Sequence, residues 1–351
     1  MNHVITAKGM KNLRKAWLLL VVGLVSILVL AGCGTKSKED VTKSLGAKVE
    51  EMKGYESNAK MTLQTGAEPQ VYEVEIGHNK PNYYRVNLKN AAKDQSQIII
   101  RNDEGVFVLT PALNKSFRFH SEWPQNSSQA YLFESLVNDI KNDPDATFTA
   151  TEDNYVFETK TNYQNNKLLP TQEITLSKKD LSPVSVKVMD PDKKPLVLVE
   201  FSDFKFDASF DADAFDVKKN MTGARLELPT SGSVSEETDN SFTVMTPLDT
   251  PAGTELKEQA DVKTSNGNRV VMTYEGEKTF TLIQEKSRYA EIPTATFVNG
   301  QIADLGYTMG ALTENSLTWS YQGVDFTLAS KDLSQEELMM VARSMQGATT
   351  K

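Results

Sequence analysis

One cysteine, Cys33, and three histidines are all the thiol and imidazole chemistry that 351 residues carry. A lone thiol closes no internal disulfide and cannot build a cysteine-rich zinc site, so disulfide scaffolds and zinc ribbons are excluded. The sequence holds no Gly-rich phosphate loop and no dinucleotide fingerprint. Positive charge is short as well: 38 Lys and Arg stand against 47 Asp and Glu, a net charge of -9. Nucleic acid and anionic headgroups repel a chain of that sign.

Acids are missing altogether before Glu39, and that stretch has its own pattern. Lys8, Lys11, Arg14 and Lys15 form a basic start, and residues 16–32 are apolar apart from Ser26. A run of 17 residues sits at the low edge for a membrane-spanning helix, which leaves an uncleaved anchor as one reading. The end of the run carries the other: Leu30-Ala31-Gly32-Cys33 resembles the lipobox of bacterial lipoprotein signal peptides, in which the cysteine sulfur receives a diacylglyceryl group. That resemblance implies a signal peptide over residues 1–32, a mature chain beginning at a lipid anchor on Cys33, and a place on the extracytoplasmic side of the cell membrane. Two acyl chains hold a protein on a bilayer at about 0.8 kcal/mol per buried methylene. Without the four basic residues of the signal, 34 basic side chains face 47 acidic ones, a net charge of -13. Attachment then rests on acyl chains and not on a basic patch. Residues 33–38 are polar and read as a tether.

The mature part exceeds one typical domain. Residues 222–240, rich in Ser, Thr, Gly and acids, read as a linker between a domain at 39–221 and a smaller one at 241–351. The first opens with a helix, since Val41, Leu45, Val49 and Met52 recur at helical spacing before Gly54. The period then becomes two. Segments such as VYEVEI and YYRVNL, with a hairpin around Asn102–Gly105, predict eight to eleven antiparallel strands. A second helix is predicted from a Ser cap near residue 127 to Pro144, with Tyr131, Leu132, Leu136 and Ile140 on one side. Two helices are too few to cover a flat sheet of that width, so the sheet is expected to curl around them.

EIGHNKPNYYRVNL, QIIIRNDEGVFVLTPALNKSFRF and FDASFDADAFDV, in that order, resemble the LolA and LppX group of lipoprotein-carrier and lipid-binding folds over about residues 39–218. The resemblance implies a mainly β (α+β) fold, a curled antiparallel half-barrel with a helical lid around an apolar cavity, and a buried Phe215 closing the domain. It also marks Lys80 as a candidate lid latch, where the carriers have Arg. Lys lacks the planar two-pronged donor, so the fold carries over better than the carrier cycle. Residues 241–346, with LTWSYQGVDFTL and a terminal helix capped by Ser334 and Glu337, resemble a small α+β module of extracytoplasmic or anti-sigma-type proteins of Gram-positive bacteria. The two-part layout is similar to RseB-type regulators and to sporulation and germination lipoproteins that support a cortex-degrading enzyme.

The inward apolar positions Tyr72, Tyr84, Val86, Ile98, Ile100, Phe107, Leu109, Phe117, Leu132 and Leu136 are candidates to line a cavity, and a filled core accommodates them equally. His78, in the Lys80-Pro81 turn, and His120, at a strand end, have no Ser, Asp or Cys constellation beside them in sequence and read as surface or edge residues. Asp203, Asp207, Asp211, Asp213 and Asp216 lack the Gly and bidentate Glu of a calcium loop, and read as solvated acids alternating with buried Phe201, Phe204, Phe206, Phe210 and Phe215. No catalytic residue, metal or cofactor is expected, and no nucleic-acid partner. Two functions follow: a membrane-anchored lipoprotein that binds lipid, acyl chains or lipoproteins, or a non-enzymatic regulatory lipoprotein that binds an envelope protein.

Overall fold

A computed structural model describes residues 36–64, 69–90, 95–124, 129–163, 167–226, 242–264, 267–290 and 295–345. Cys33, residues 1–32 read as a signal peptide, and most of residues 222–240 read as a linker lie outside the described residues. By compactness the chain divides into residues 1–44 and 45–351. The described part of the first unit is the start of helix α1 (Lys38–Glu51). Its first turn is closed reciprocally: the Asp40 amide donates to the Ser37 hydroxyl at 3.2 Å, and the Ser37 amide donates to the Asp40 carboxylate at 3.2 Å.

In the second unit the period-two segments become eleven strands: β1 (Gly54–Leu63), β2 (Gln70–Asn79), β3 (Tyr83–Asn90), β4 (Gln95–Asn102), β5 (Gly105–Thr110), β6 (Lys115–Phe119), β7 (Thr147–Ala150), β8 (Asn154–Lys160), β9 (Thr171–Ser177), β10 (Pro183–Met189) and β11 (Pro195–Phe206). Helix α2 (Phe133–Asn142) interrupts them and helix α3 (Val217–Leu226) follows. Then come β12 (Thr254–Thr264), β13 (Gly267–Gly276), β14 (Phe280–Lys286), β15 (Ala295–Val298), β16 (Gln301–Asp304), β17 (Met309–Leu312), β18 (Ser316–Tyr321), β19 (Val324–Ala329) and helix α4 (Gln335–Arg343).

Two open sheets result. The larger has twelve strands in the order β15-β6-β5-β4-β3-β2-β1-β11-β10-β9-β8-β7, and the smaller has seven in the order β12-β13-β14-β19-β18-β17-β16. Strand β15 comes from the later part of the chain and pairs parallel with β6, while the other ladders are antiparallel. Helix α3 extends to Leu226, into the segment read as linker, because Met221 is buried against Ile98, Ile100, Phe107, Leu109 and Phe215.

Helix α2 shows how far the large sheet bends. Tyr55 on β1 and His78 on β2 bond its first turn, while Gln172 Nε2 on β9 donates to Asp139 Oδ2 at 2.6 Å near its other end. Strands β2 and β9 stand four spacings apart, about 19 Å in a flat sheet, whereas a helix with its side chains is about 10–12 Å across. The sheet therefore wraps the helix, as the shortage of helices predicts. The helix itself starts later than expected. Tyr131 and Leu132 precede it, and Leu132 at the N-cap offers no side-chain bond. The cap comes from another strand: the Tyr55 hydroxyl accepts the Phe133 amide at 3.2 Å.

In the smaller sheet Gln322 and Gly323, both at positive φ, turn β18 into β19. Helix α4 carries the expected capping box of Ser334 and Glu337, and Leu338, Val341 and Ala342 are buried on it.

Candidate binding surfaces

Ladder register sorts the candidate cavity residues, because side chains directly opposite one another share a face. Val86 faces Ile99, Ile99 faces Val108 and Val108 faces Phe117, so these lie on one side together with Tyr84 and Tyr72. Ile98 faces Leu109 and Ile100 faces Phe107, which puts this second set on the opposite side of the sheet. The ten candidates therefore do not line one chamber. Ile98, Ile100, Phe107 and Leu109 form a core with Phe215 and Met221 under α3. Tyr84, Val86, Leu132 and Leu136 are buried on the α2 side, and Phe117 is half-buried there. An isoleucine run in which Ile98, Ile99 and Ile100 are all buried has both faces covered, and α3 supplies the cover that two expected helices could not.

The α2 face carries a polar cluster that the sequence concealed. His78 is 1% exposed, where a surface or edge position was expected. Its Nε2 lies 2.8 Å from Glu134 Oε1, and its Nδ1 lies 3.0 Å from the Tyr83 carbonyl oxygen. Tyr84 stacks on the imidazole at 4.2 Å between centroids. The Tyr55 hydroxyl donates to Glu134 Oε2 at 3.0 Å, and burial together with the Glu134 charge holds its pKa well above the usual tyrosine value. These contacts tie the first turn of α2 to strands β1 and β2. What hid it is distance in sequence: Glu134 sits on a helix whose docking the sequence did not specify.

Lys80, the candidate lid latch, meets the end of a helix. Its ammonium donates to the carbonyls of Val49 at 2.6 Å and Glu50 at 2.8 Å, at the C-terminal end of α1, where a cation also meets the negative end of the helix dipole. Two of the aspartates accept backbone amides: Asp207 Oδ1 takes the Lys53 amide at 2.7 Å, joining the end of β11 to the start of β1, and Asp216 Oδ1 takes the Lys219 amide at 2.7 Å in the first turn of α3. Among their phenylalanines only Phe215 is buried, while Phe201, Phe204, Phe206 and Phe210 are half-buried. The backbone at Asp203 has a positive φ and breaks the alternation, so that Phe204 and Phe206 both reach the Phe133 ring.

The two sheets meet along a cleft. A cavity of about 350 Å³ lies between Val108, Phe117 and Phe119 on the large sheet and Thr318, Ser320 and Thr327 on the small one. Lys115 Nζ reaches Asp325 Oδ2 across it at 2.7 Å, and the Tyr72 hydroxyl donates to the Tyr307 carbonyl at 3.2 Å. The Met309 amide donates to Gln97 Oε1 at 2.7 Å. Phe117 and Tyr72 are thus cleft residues and not members of a chamber under α2.

The family model described as "Sporulation protein YdcC-like" matches residues 13–215, more than half of the chain. The chain belongs to this family. Sporulation protein YdcC of Bacillus subtilis (strain 168) is 56% identical over 342 residues, which is 97% of this chain and all of that protein. Among solved structures, a chain of the Pseudomonas aeruginosa MucA/MucB complex is 13% identical, with a TM-score of 0.33 over 88% of this chain and 99% of that one. A lipoprotein-sorting protein domain from Vibrio parahaemolyticus is also 13% identical, with a TM-score of 0.31 over 53% of this chain and 99% of that one. The family segment takes in Cys33, the His78–Glu134 pair and all of β1–β11. The small sheet lies beyond it, yet within the span shared with the Bacillus subtilis relative.

Proposed function

We propose that the chain is a lipid-anchored, non-catalytic protein of the cell envelope in sporulating bacteria, and that it holds a protein partner along the β15 edge of its large sheet. The observation behind this reading is an exposed aromatic edge. Phe297 on β15 is 57% exposed and Tyr289, just before the strand, is 53% exposed. Among the described residues no strand pairs with the outer edge of β15. Large exposed apolar side chains beside an open strand edge suit an extended partner segment that adds a strand through backbone bonds and covers the rings. The rim is cationic on an otherwise acidic protein: the Arg225 guanidinium lies 5.7 Å from the Tyr289 ring centre, and Arg118 is the register neighbour of Phe297. A segment mixing apolar and acidic residues would complement it.

Acyl binding beneath α2 has less in its favour, because Tyr55, Leu132, Phe133 and Leu136 fill that face. Benzoylphenylalanine in place of Phe297, in the full chain expressed in sporulating cells, tests the docking reading. The expected product is one discrete adduct with an extracytoplasmic protein, diminished when Arg225 and Tyr289 are both replaced by Ser and absent when the photoprobe replaces Asp261 on β12. No adduct from position 297, or equal adducts from both positions, would overturn it.

A further inference from the structure

On the opposite side of the large sheet from α2, a cavity of about 430 Å³ opens between β1–β4 and the segment that leads into α3. Strand β3 supplies its floor. Arg85 and Asn87 stand two residues apart and so share a face, and the register sets Asn87 beside Ile98, which belongs to the core under α3. On the other side Asn87 lies opposite Glu75 and Arg85 lies opposite Gly77. Gly77 has no side chain to offer the guanidinium, and the space above it is taken by Phe210, whose Cε1 is 3.0 Å from where a Cβ at position 77 would stand. Arg85 accordingly makes no hydrogen bond and no ion pair among the described residues. Asn87 Nδ2 donates to Glu75 Oε2 at 3.4 Å, but its Oδ1 is closed off from solvent and meets no donor among the described residues. An acceptor left in that state carries a desolvation cost that a bound donor removes.

The charges around the cavity are likewise unmatched. Four carboxylates line it, those of Glu56, Glu75, Asp211 and Asp213, against Arg85 and Lys219. Lys219 Nζ bonds Asp213 Oδ1 at 2.5 Å, and that bond holds the Asp213 carboxyl below the usual carboxylate range. Glu56, Glu75 and Asp211 have no cation within ion-pair distance among the described residues, so a lone guanidinium and three carboxylates face one space. Separated charges of both signs match a ligand that carries both, and the planar guanidinium fork matches a carboxylate.

We propose that this cavity binds a free α-amino acid with a cationic side chain, its carboxylate on Arg85, its α-ammonium on Asn87 Oδ1 and Glu75, and its side-chain cation on Asp211. Arg85 and Asn87 are about 7 Å apart along the strand, and the two charged groups of the ligand backbone flank one carbon, so a single molecule reaches both. Ile98 and Phe210 give the methylenes of the side chain an apolar wall. The volume is that of a small-molecule site. The site goes beyond the docking reading and is separate from it, because none of its lining residues belongs to β15 or β6.

Calorimetric titration of the full chain in lipid nanodiscs with L-lysine tests the site, with empty nanodiscs as the blank. Expected is saturable binding at one site per chain, weakened at least tenfold by Arg85→Met and severalfold by Asn87→Leu. Lysinamide, which lacks the carboxylate, should bind at least tenfold more weakly than lysine and lose nothing further in Arg85→Met, a coupling that a merely structural role for Arg85 would not produce. Gly223→Phe on α3 adds a ring where a Cβ meets nothing within 4 Å, so it should block the cavity in a folded chain and keeps the question answerable if the β3 variants fail to fold. Heat equal to that of empty nanodiscs, undiminished binding by Arg85→Met or by Gly223→Phe, or cadaverine binding as tightly as lysine would overturn the site. Norleucine binding as tightly as lysine would overturn the cationic side chain.

Discussion

His78 and Glu134 tie strand β2 to helix α2 through a 2.8 Å contact in which the two side chains are 2% and 16% exposed. Removing one member of a buried pair strands the other, at a cost of about 3 kcal/mol. His78→Ala is expected to lower the unfolding free energy by that order in urea titration. The double replacement His78→Leu with Glu134→Gln should recover part of the loss, because no charge is left unpaired and the Gln oxygen still accepts the Tyr55 hydroxyl. Equal losses in both variants would show that packing of the ring, and not the pairing, carries the stability.

The same end of β2 sets a second expectation. A Cβ on Gly54 would stand 2.1 Å from the His78 carbonyl oxygen, a backbone atom that cannot move without pulling β2 from β1. Gly54→Ala should therefore cost about 2–3 kcal/mol of overpacking, read as a lower midpoint in chemical denaturation. A midpoint shift below a few tenths of a molar in urea would contradict the crowding.

Lys80 offers a local measurement. Lys80→Met removes both bonds to the Val49 and Glu50 carbonyls, worth about 1–2 kcal/mol together. Amide exchange should accelerate in residues 45–51 and stay unchanged in β9, with Lys80→Arg falling between wild type and Met. Uniform acceleration throughout the chain would mean that the lysine supports the whole fold instead of one helix end.

Across the cleft, Lys115 and Asp325 are 18% and 30% exposed at 2.7 Å. A double-mutant cycle to Ala is expected to yield a coupling of about 1 kcal/mol that shrinks in 1 M salt. Zero coupling at low salt would remove the pair from the forces that hold the two sheets together.

The anchor is tested at Cys33. On the proposed lipid-anchor reading, Cys33→Ser keeps the size of the side chain and deletes the sulfur that would accept the lipid, so labelled palmitate should no longer be incorporated and residues 1–32 should stay attached. Continued palmitate incorporation by the Ser variant would end the lipobox reading.

Much of this architecture was legible in the residues. Alternation at period two located the strands, and the Ser334–Glu337 spacing located the start of α4. What alternation cannot reveal is which side of a strand meets which helix. Ile98, Ile99 and Ile100 carry no polar residue to mark a solvent face, so their sorting onto two sides depended on α3, whose mean character is polar and whose buried contribution is Met221. The helix α2 boundary was displaced for a related reason, since the cap is a tyrosine hydroxyl from β1 and not a serine nearby in sequence. His78 was misplaced because its partner arrives from a distant segment.

Strand β15 bears on how the protein can be taken apart. The chain that builds the small sheet also lends four residues to the rim of the large one. A cut in the 222–240 segment would consequently yield an amino-terminal piece with β6 laid bare, and bare rims are where strands of separate molecules pair and precipitate. Expression of either half alone is the wrong route to its properties, and any evolutionary shuffling of the small sheet must carry a replacement rim with it.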